Sequence, residues 1–577
     1  MDTRLVLGMS PPGIHHLPLL HSHSSHLSKG VSPISFQKHK GSRKLFKVSP
    51  KTISHRFMLR ICASVGSSNA DLACKQNVIS SSFSTSSDLT RWSWALPHSS
   101  TKPTDAMNEL EMQLQELFGE VKMMVKMGNI SDAVDLLQAN YEIVEEQISD
   151  GARSIQEAAT LDVIALGYLA VGDLKFVRFL MNMLSQIVNN LKDDEPLLES
   201  ILMHMGSIYS SLGMLEQSMI VYQRAINILE NRYGKDSTFL VSTLLGTAKV
   251  LSSIGRTTKA VEVYHRAITI LESSKGLQSE DLVVPLFGLG NVLIKEGRPK
   301  DAESPFMRIL GIYTNLYGSD DGRVGMALCS MAHVKCAAGN LEEAVDLYKR
   351  ALKVIKDANY MALDDGIMEK MRIDLAELLH VVGRGQEGRK LLEECLLITE
   401  NQKGKEHPSL VLHLLNLASS YSQSKNFVEA EHLLRTSLNI MLNNVGPDDQ
   451  SITFPMLHLA VTLYNLNQDE EAEQLALEAL RIREEAFGKD SLPVGEALDC
   501  LISIQTRLGK NDLKLLELLK EVLMIQEKHF GYESEEVMLT LKKFIFYLDK
   551  LGMKDEKLPM QRRLSVLKNK YMQTVRR

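Results

Sequence analysis

Gly288-Leu289-Gly290 is the stretch that first invites a chemical reading, because paired glycines can bring a backbone close to phosphate oxygens. A dinucleotide site needs those glycines directly after a strand, with the next helix offering its N-terminus to the pyrophosphate. Here they lie inside the first helix of a repeat with no strand before them, so the expectation is close helix packing and no bound nucleotide. Cys329 and Cys336 stand seven apart, a helical spacing that points to packing. With Cys62, Cys74, Cys395 and Cys500 they give neither paired metal spacing nor a disulfide framework. The carboxylate pairs Glu342-Glu343 and Glu484-Glu485 fall on predicted solvent faces, where charge is ordinary. The chain contains no G-x-x-x-x-G-K-S/T, H-E-x-x-H, C-x-x-C or G-x-S-x-G. Catalysis has no candidate centre, and neither cofactor nor metal is expected.

Any remaining function must rest on the elements that carry these residues. At 577 residues and 44% hydrophobic content the chain has ample material for a core. Only 6% of residues are aromatic, and Leu, Met, Glu, Lys and Ala dominate beyond residue 106, which favours helices over strands. No apolar run approaches the roughly 20 residues that a bilayer-spanning helix needs. The net charge of -6 conceals two regions: residues 1–70 hold one acid against ten bases, and the remainder is acidic, with a net of -15.

Residues 222–237 read YQRAINILENRYGKDS, and 42 positions later 264–279 read YHRAITILESSKGLQS. Small or turn-forming residues mark the same phase at Gly213, Gly255, Gly297 and Gly339, then after 44 residues at Gly383, and again every 42 at Lys425, Asn467 and Gly509. Five positions after each mark from Gly213 to Asn467 stands a small residue, from Ser218 and Ala260 to Ala430 and Ala472. Tyr222, Tyr264, Phe306, Tyr348, Leu392 and Leu434 supply the bulk between units, until Ala476 breaks the series. Degenerate units surround Gly128 and Gly172, and a last one lies near Gly552. The expectation is an array from about 106 to 555 of ten two-helix units and a capping remnant.

With its small, Gly, Ala, Tyr and Ala marks the pattern resembles tetratricopeptide repeats in the longer form of the kinesin light chain and nephrocystin-like type. The fullest match is 404–446, where Gly404-Lys405-Glu406-His407-Pro408, Asn416-Leu417-Ala418, Tyr421 and Ala430-Glu431 sit as that repeat places them. The resemblance covers roughly 450 of 577 residues and implies an all-α, right-handed superhelical solenoid of helix pairs. Asn416 matches the groove Asn of that repeat, but its equivalents are His204, Gly246, Gly288, Ser330, Asp374 and His458. With no long heptad segment ahead of the array either, adaptation to a motor is not implied.

The front of the chain sets a different expectation. Its Ser, His and Lys content without acids is that of an organelle transit peptide, and Ile61-Cys62-Ala63-Ser64 resembles the end of a chloroplast presequence. Removal of residues 1–63 would take His15, His16, His21, His23 and His26 away with it. Mitochondrial import is the runner-up. Residues 64–105 read as a disordered Ser/Thr-rich linker, 106–195 as divergent repeats, 196–530 as regular repeats and 531–577 as a partial repeat with a basic capping helix.

The concave face, built from first helices, is the expected binding surface. Counting from each small packing residue points to Ser207, Ser210, Lys249, Ser252, Asn291, Lys295, His333, Cys336, Glu377, His380, Ser419 and Ser422. This small, polar mixture suits an extended peptide or protein lobe, whereas nucleic acid asks for a continuous basic track. Residues 557–577 carry seven bases and no acid, which reads as a capping helix or as a weak peripheral contact with membrane or RNA. The function expected is a non-catalytic scaffold in the chloroplast, an assembly or biogenesis factor for photosynthetic or other plastid complexes. The alternatives are an RNA-associated factor for transcript maturation and a regulatory subunit of a plastid enzyme.

Overall fold

The computed structural model describes residues 105–575, which form 22 α-helices, two short 3-10 turns and no strand. The transit-peptide, histidine and linker assignments lie outside these residues, except that Asp105, placed last in the linker, opens the first helix. Two compact bodies part between Ala338 and Gly339. The first contains α1 (Asp105–Met127), α2 (Ile130–Ser149), α3 (Ile155–Val171), α4 (Leu174–Val188), α5 (Leu198–Ser211), α6 (Leu215–Tyr233), α7 (Leu240–Ile254), α8 (Thr257–Lys275), α9 (Val283–Lys295), α10 (Pro299–Tyr317) and α11 (Gly322–Ala337). The second contains α12 (Leu341–Asp357), α13 (Gly366–Val381), α14 (Gly385–Lys403), α15 (Leu410–Gln423), α16 (Phe427–Val445), α17 (Thr453–Asn465), α18 (Asp469–Phe487), α19 (Leu492–Arg507), α20 (Asp512–Phe530), α21 (Glu535–Lys550) and α22 (Lys554–Val575). Within each body most helices pack on their sequence neighbours, and some first helices also touch the next first helix, as α5 touches α7 and α17 touches α19.

The 42-residue phase marks are turns between the two helices of a unit. Every mark from Gly128 to Gly552 has positive φ, including Lys425 and Asn467 at 61°. This left-handed residue ends one helix and aims the next, a task that glycine performs without a Cβ clash. The small residue five positions on then permits close approach: Ser218 is fully buried and its hydroxyl donates to the Gly206 carbonyl at 2.6 Å.

Bulk and space are matched between units. A Cβ built on Gly206 would lie 2.6 Å from the Tyr222 ring, and one on Gly246 would lie 2.5 Å from the same ring and its hydroxyl. Gly288 stands in the same relation to Tyr264, and Gly290 to Phe306, at 2.4 Å each. The Gly-Leu-Gly triplet is thus a packing device, as expected, with one glycine for the ring of the preceding unit and one for its own. In the same register Tyr348 corresponds to Asp374, Leu392 to Asn416, Leu434 to His458 and Ala476 to Cys500. Glycine stands opposite the Tyr222 and Tyr264 rings, and larger side chains stand opposite Leu392 and Leu434.

A charged clamp joins units at the surface. The Arg266 guanidinium bonds Glu230 and the Lys235 carbonyl, and Arg308 bonds Glu272 and the Leu277 carbonyl. Arg563 repeats this on Glu527 and the Tyr532 carbonyl. Leu567 lies in one apolar cluster with Leu523, Val537, Met538 and Leu541. The segment expected as a capping remnant is therefore the second helix of a complete pair, and α22 begins at Lys554, with Pro559 in its second turn.

Candidate binding surface

The first-helix residues picked out by register divide into two positions. One position after the packing residue, Lys249 is exposed, while Ser207, Asn291, His333 and Glu377 are half-buried. These five have solvent-accessible surface. Four or five positions after it, the chain enters the seam between neighbouring first helices. There Cys336 and Ser422 are buried, and Ser419, at the first position, is buried too, so these three leave the candidate surface. A helical wheel drawn for one isolated helix assigns them to solvent, whereas the folded array buries them.

The remaining seam residues hold helices together. Lys295 Nζ donates to the Ser252 carbonyl at 2.5 Å, joining two candidates from successive units. His380 Nε2 lies 2.6 Å from the Ser420 hydroxyl, and burial, with a further push from Arg389, holds its pKa below the usual imidazole value. Ser210 and Ser252 are half-buried. Ser207 bonds the Tyr222 hydroxyl, whose pKa burial drives far above the phenolic range.

Several polar groups went unnoticed in the sequence. Asp162 and His204, 42 residues apart, meet within the core with Oδ2 and Nδ1 2.5 Å apart. Burial raises the Asp162 pKa, and His204 opposes that rise. In the second body Asn416 is buried with neither amide atom hydrogen-bonded within the protein, so it does not stand open to a ligand as a groove residue would. His413 and His458 are buried and held down to about 4, chiefly by desolvation and then by Lys403 and Arg483 respectively. The Arg clamp had a visible signal, since Arg returns with Ala-Ile at 224–226 and 266–268, but a surface charge at a fixed offset does not reveal its partner.

The chemistry of these groups is structural. Burial pushes the thiols of Cys395 and Cys500 up to about 12, which leaves them protonated and poor nucleophiles. Among the described residues no three His, Cys, Asp or Glu side chains converge to hold a metal, and no helix is long and apolar enough to cross a membrane. On α22, Lys557 pairs with Asp549, Arg563 with Glu527 and Lys570 with Glu533, so half of its bases are engaged within the chain.

Comparison with known families matches tetratricopeptide-repeat models to residues 197–273, 281–357 and 368–443, and a second such model to 456–492. No curated protein sequence matches the chain. Among solved structures, the nearly identical TPR-like repeats of a Podosopora anserina protein described as a kinesin light chain are similar at 19% identity, covering 36% of this chain and 98% of that one, with a TM-score of 0.33. BtubC (BKLC) of P. vanneervenii is similar at 18% identity over 43% of this chain and 93% of its own, with a TM-score of 0.32. The apo quorum sensor NprR of B. thuringiensis is similar at 12% identity over 64% and 99%, with a TM-score of 0.38. At these scores none of the three informs what this chain does. The repeat models and the helix-pair architecture agree: the matched stretches between residues 197 and 492 are tetratricopeptide repeats, set in an all-α solenoid of helix pairs, the fold of a protein-interaction scaffold.

Proposed function

We propose that this scaffold works in the chloroplast, where it binds one or more proteins or extended peptides and serves the assembly or biogenesis of photosynthetic or other plastid complexes. The observation that carries the address is the first 70 residues, whose ten bases and single acid have the composition of an import signal. The binding surface rests on Ser207, Lys249, Asn291 and His333 in the first body and on Glu377 in the second. These have accessible surface and carry small or polar groups that can bond a peptide backbone. The acidic balance of the remainder favours protein over RNA, because a phosphate backbone is held by a basic track.

Import of the labelled full chain into isolated chloroplasts and, separately, mitochondria tests the address. Uptake by chloroplasts with removal of about the first 63 residues supports it. Uptake by mitochondria alone, or by neither organelle, overturns it.

A further inference from the structure

We propose that the chain associates head to tail with a second copy of itself, α22 of one copy docking on α1 and α2 of the next as though the array continued.

The two ends carry the open halves of an interface used repeatedly inside. Five positions before the phase mark, Ile208, Val250, Val292 and Leu378 are all buried, each in a unit with another before it. The same position in the first unit is Met123, which is 54% exposed. Nine positions before the mark, Gly246 and Gly288 receive the Tyr222 and Tyr264 rings of the preceding unit, whereas Gly119, at that position in α1, has nothing within 4 Å of the place a Cβ would occupy. At the other end, Val345 and Leu515 are buried six positions after the mark, but Leu558, their equivalent in α22, is 53% exposed. Apolar groups that interior units bury are thus uncovered at both termini.

Charge says what covers them. Twice inside the second body, a base ten positions after the mark pairs with an acid four positions after the next mark: Lys349 with Glu387 at 2.7 Å, and Arg435 with Glu471 at 2.8 Å. Arg562 occupies the base position in α22, the last described helix, and Asp132 occupies the acid position in α2, in the first described pair. Both are exposed, and neither makes an ion pair among the described residues. The surroundings agree in sign. Residues 105–150 contain 11 acids and two bases, and residues 554–575 contain six bases and two acids. A second copy supplies Asp132, Met123 and Gly119 in the register that Arg562, Leu558 and α22 require. The contact is heterologous, so each copy can take one neighbour at each end.

The test is light-scattering mass of the full chain against concentration and salt, for the wild type, Asp132→Lys and Arg562→Glu. Wild-type mass should rise above the 64.6 kDa monomer with concentration and fall as salt is added. Either reversal should weaken association about tenfold or more. An equimolar mixture of the two variants should recover it, because the new base of one variant then faces the new acid of the other across the same contact. Because both positions are exposed, circular dichroism should show both variants folded. A wild type that stays monomeric, reversals that leave the mass unchanged, or a mixture that fails to recover would each overturn the proposal.

Discussion

Tyr222 is held between Gly206 of its own unit and Gly246 of the next, each so close that an added Cβ would come within 2.6 Å of the ring. The ring cannot retreat from one glycine without striking the other. Alanine at position 246 gains about 1 kcal/mol of helix propensity over glycine, but overpacking costs about 1–3 kcal/mol, and the boxed ring makes the clash prevail. Gly246→Ala should therefore lower the urea midpoint. In a Tyr222→Leu background the same change should cost less or become stabilising, a coupling that a double-mutant cycle reads directly.

Lys425 occupies a phase mark that elsewhere is mostly glycine, at φ 61°. An L side chain in the left-handed region costs about 1 kcal/mol. Lys425→Gly should raise the stability of the second body by about that amount, measured as an increase in the denaturant midpoint. No change or a decrease would show that Lys425 makes a compensating contact.

His413 and His458 provide a pH dependence. Their folded pKa values, about 4, lie below the unfolded value, so below pH 6.5 the unfolded chain binds protons that the native chain refuses. Stability is fully present above about pH 6.5 and is lost as pH falls toward 4. Near pH 5 each histidine should account for about 2 kcal/mol. His458→Gln should narrow the gap between the midpoints at pH 7 and pH 5; an unchanged gap would mean that this imidazole does not titrate as described.

Truncation after Met553 removes α22 and uncovers Leu523, Val537, Met538 and Leu541. The shortened chain should aggregate, whereas Arg563→Ala, which keeps the apolar contact and loses the clamp, should stay soluble with a stability loss of about 1 kcal/mol. Sedimentation after mild heating separates the two outcomes. A soluble truncated chain would contradict the role of α22 as the second helix of a full pair.

The array was legible because its signals are backbone signals. A left-handed turn every 42 residues leaves glycine, lysine or asparagine at fixed places, and close helix approach leaves Ser218 and Ala260 at others. The surface was less legible. Ser419, Ser422 and Cys336 have the sizes and polarity of groove residues, and only the packing of the folded array hides them. Asp162 and His204 are separated by a whole unit, so neither residue announces the other until the helices stack. The completeness of the last pair was obscured because α22 carries Lys557, Gln561 and Leu564 at the Ala, Tyr and Ala marks, while its Arg563 clamp and Leu567 contact persist.

The central claim is that this solenoid holds proteins and not nucleic acid. Affinity purification of the organelle-imported chain, with and without ribonuclease, tests it most directly when the wild type is compared with a Lys249→Glu, Asn291→Ala double variant. The account predicts protein partners that survive ribonuclease and diminish in the variant. Partners that vanish with ribonuclease, or that bind the variant as well as the wild type, would contradict it.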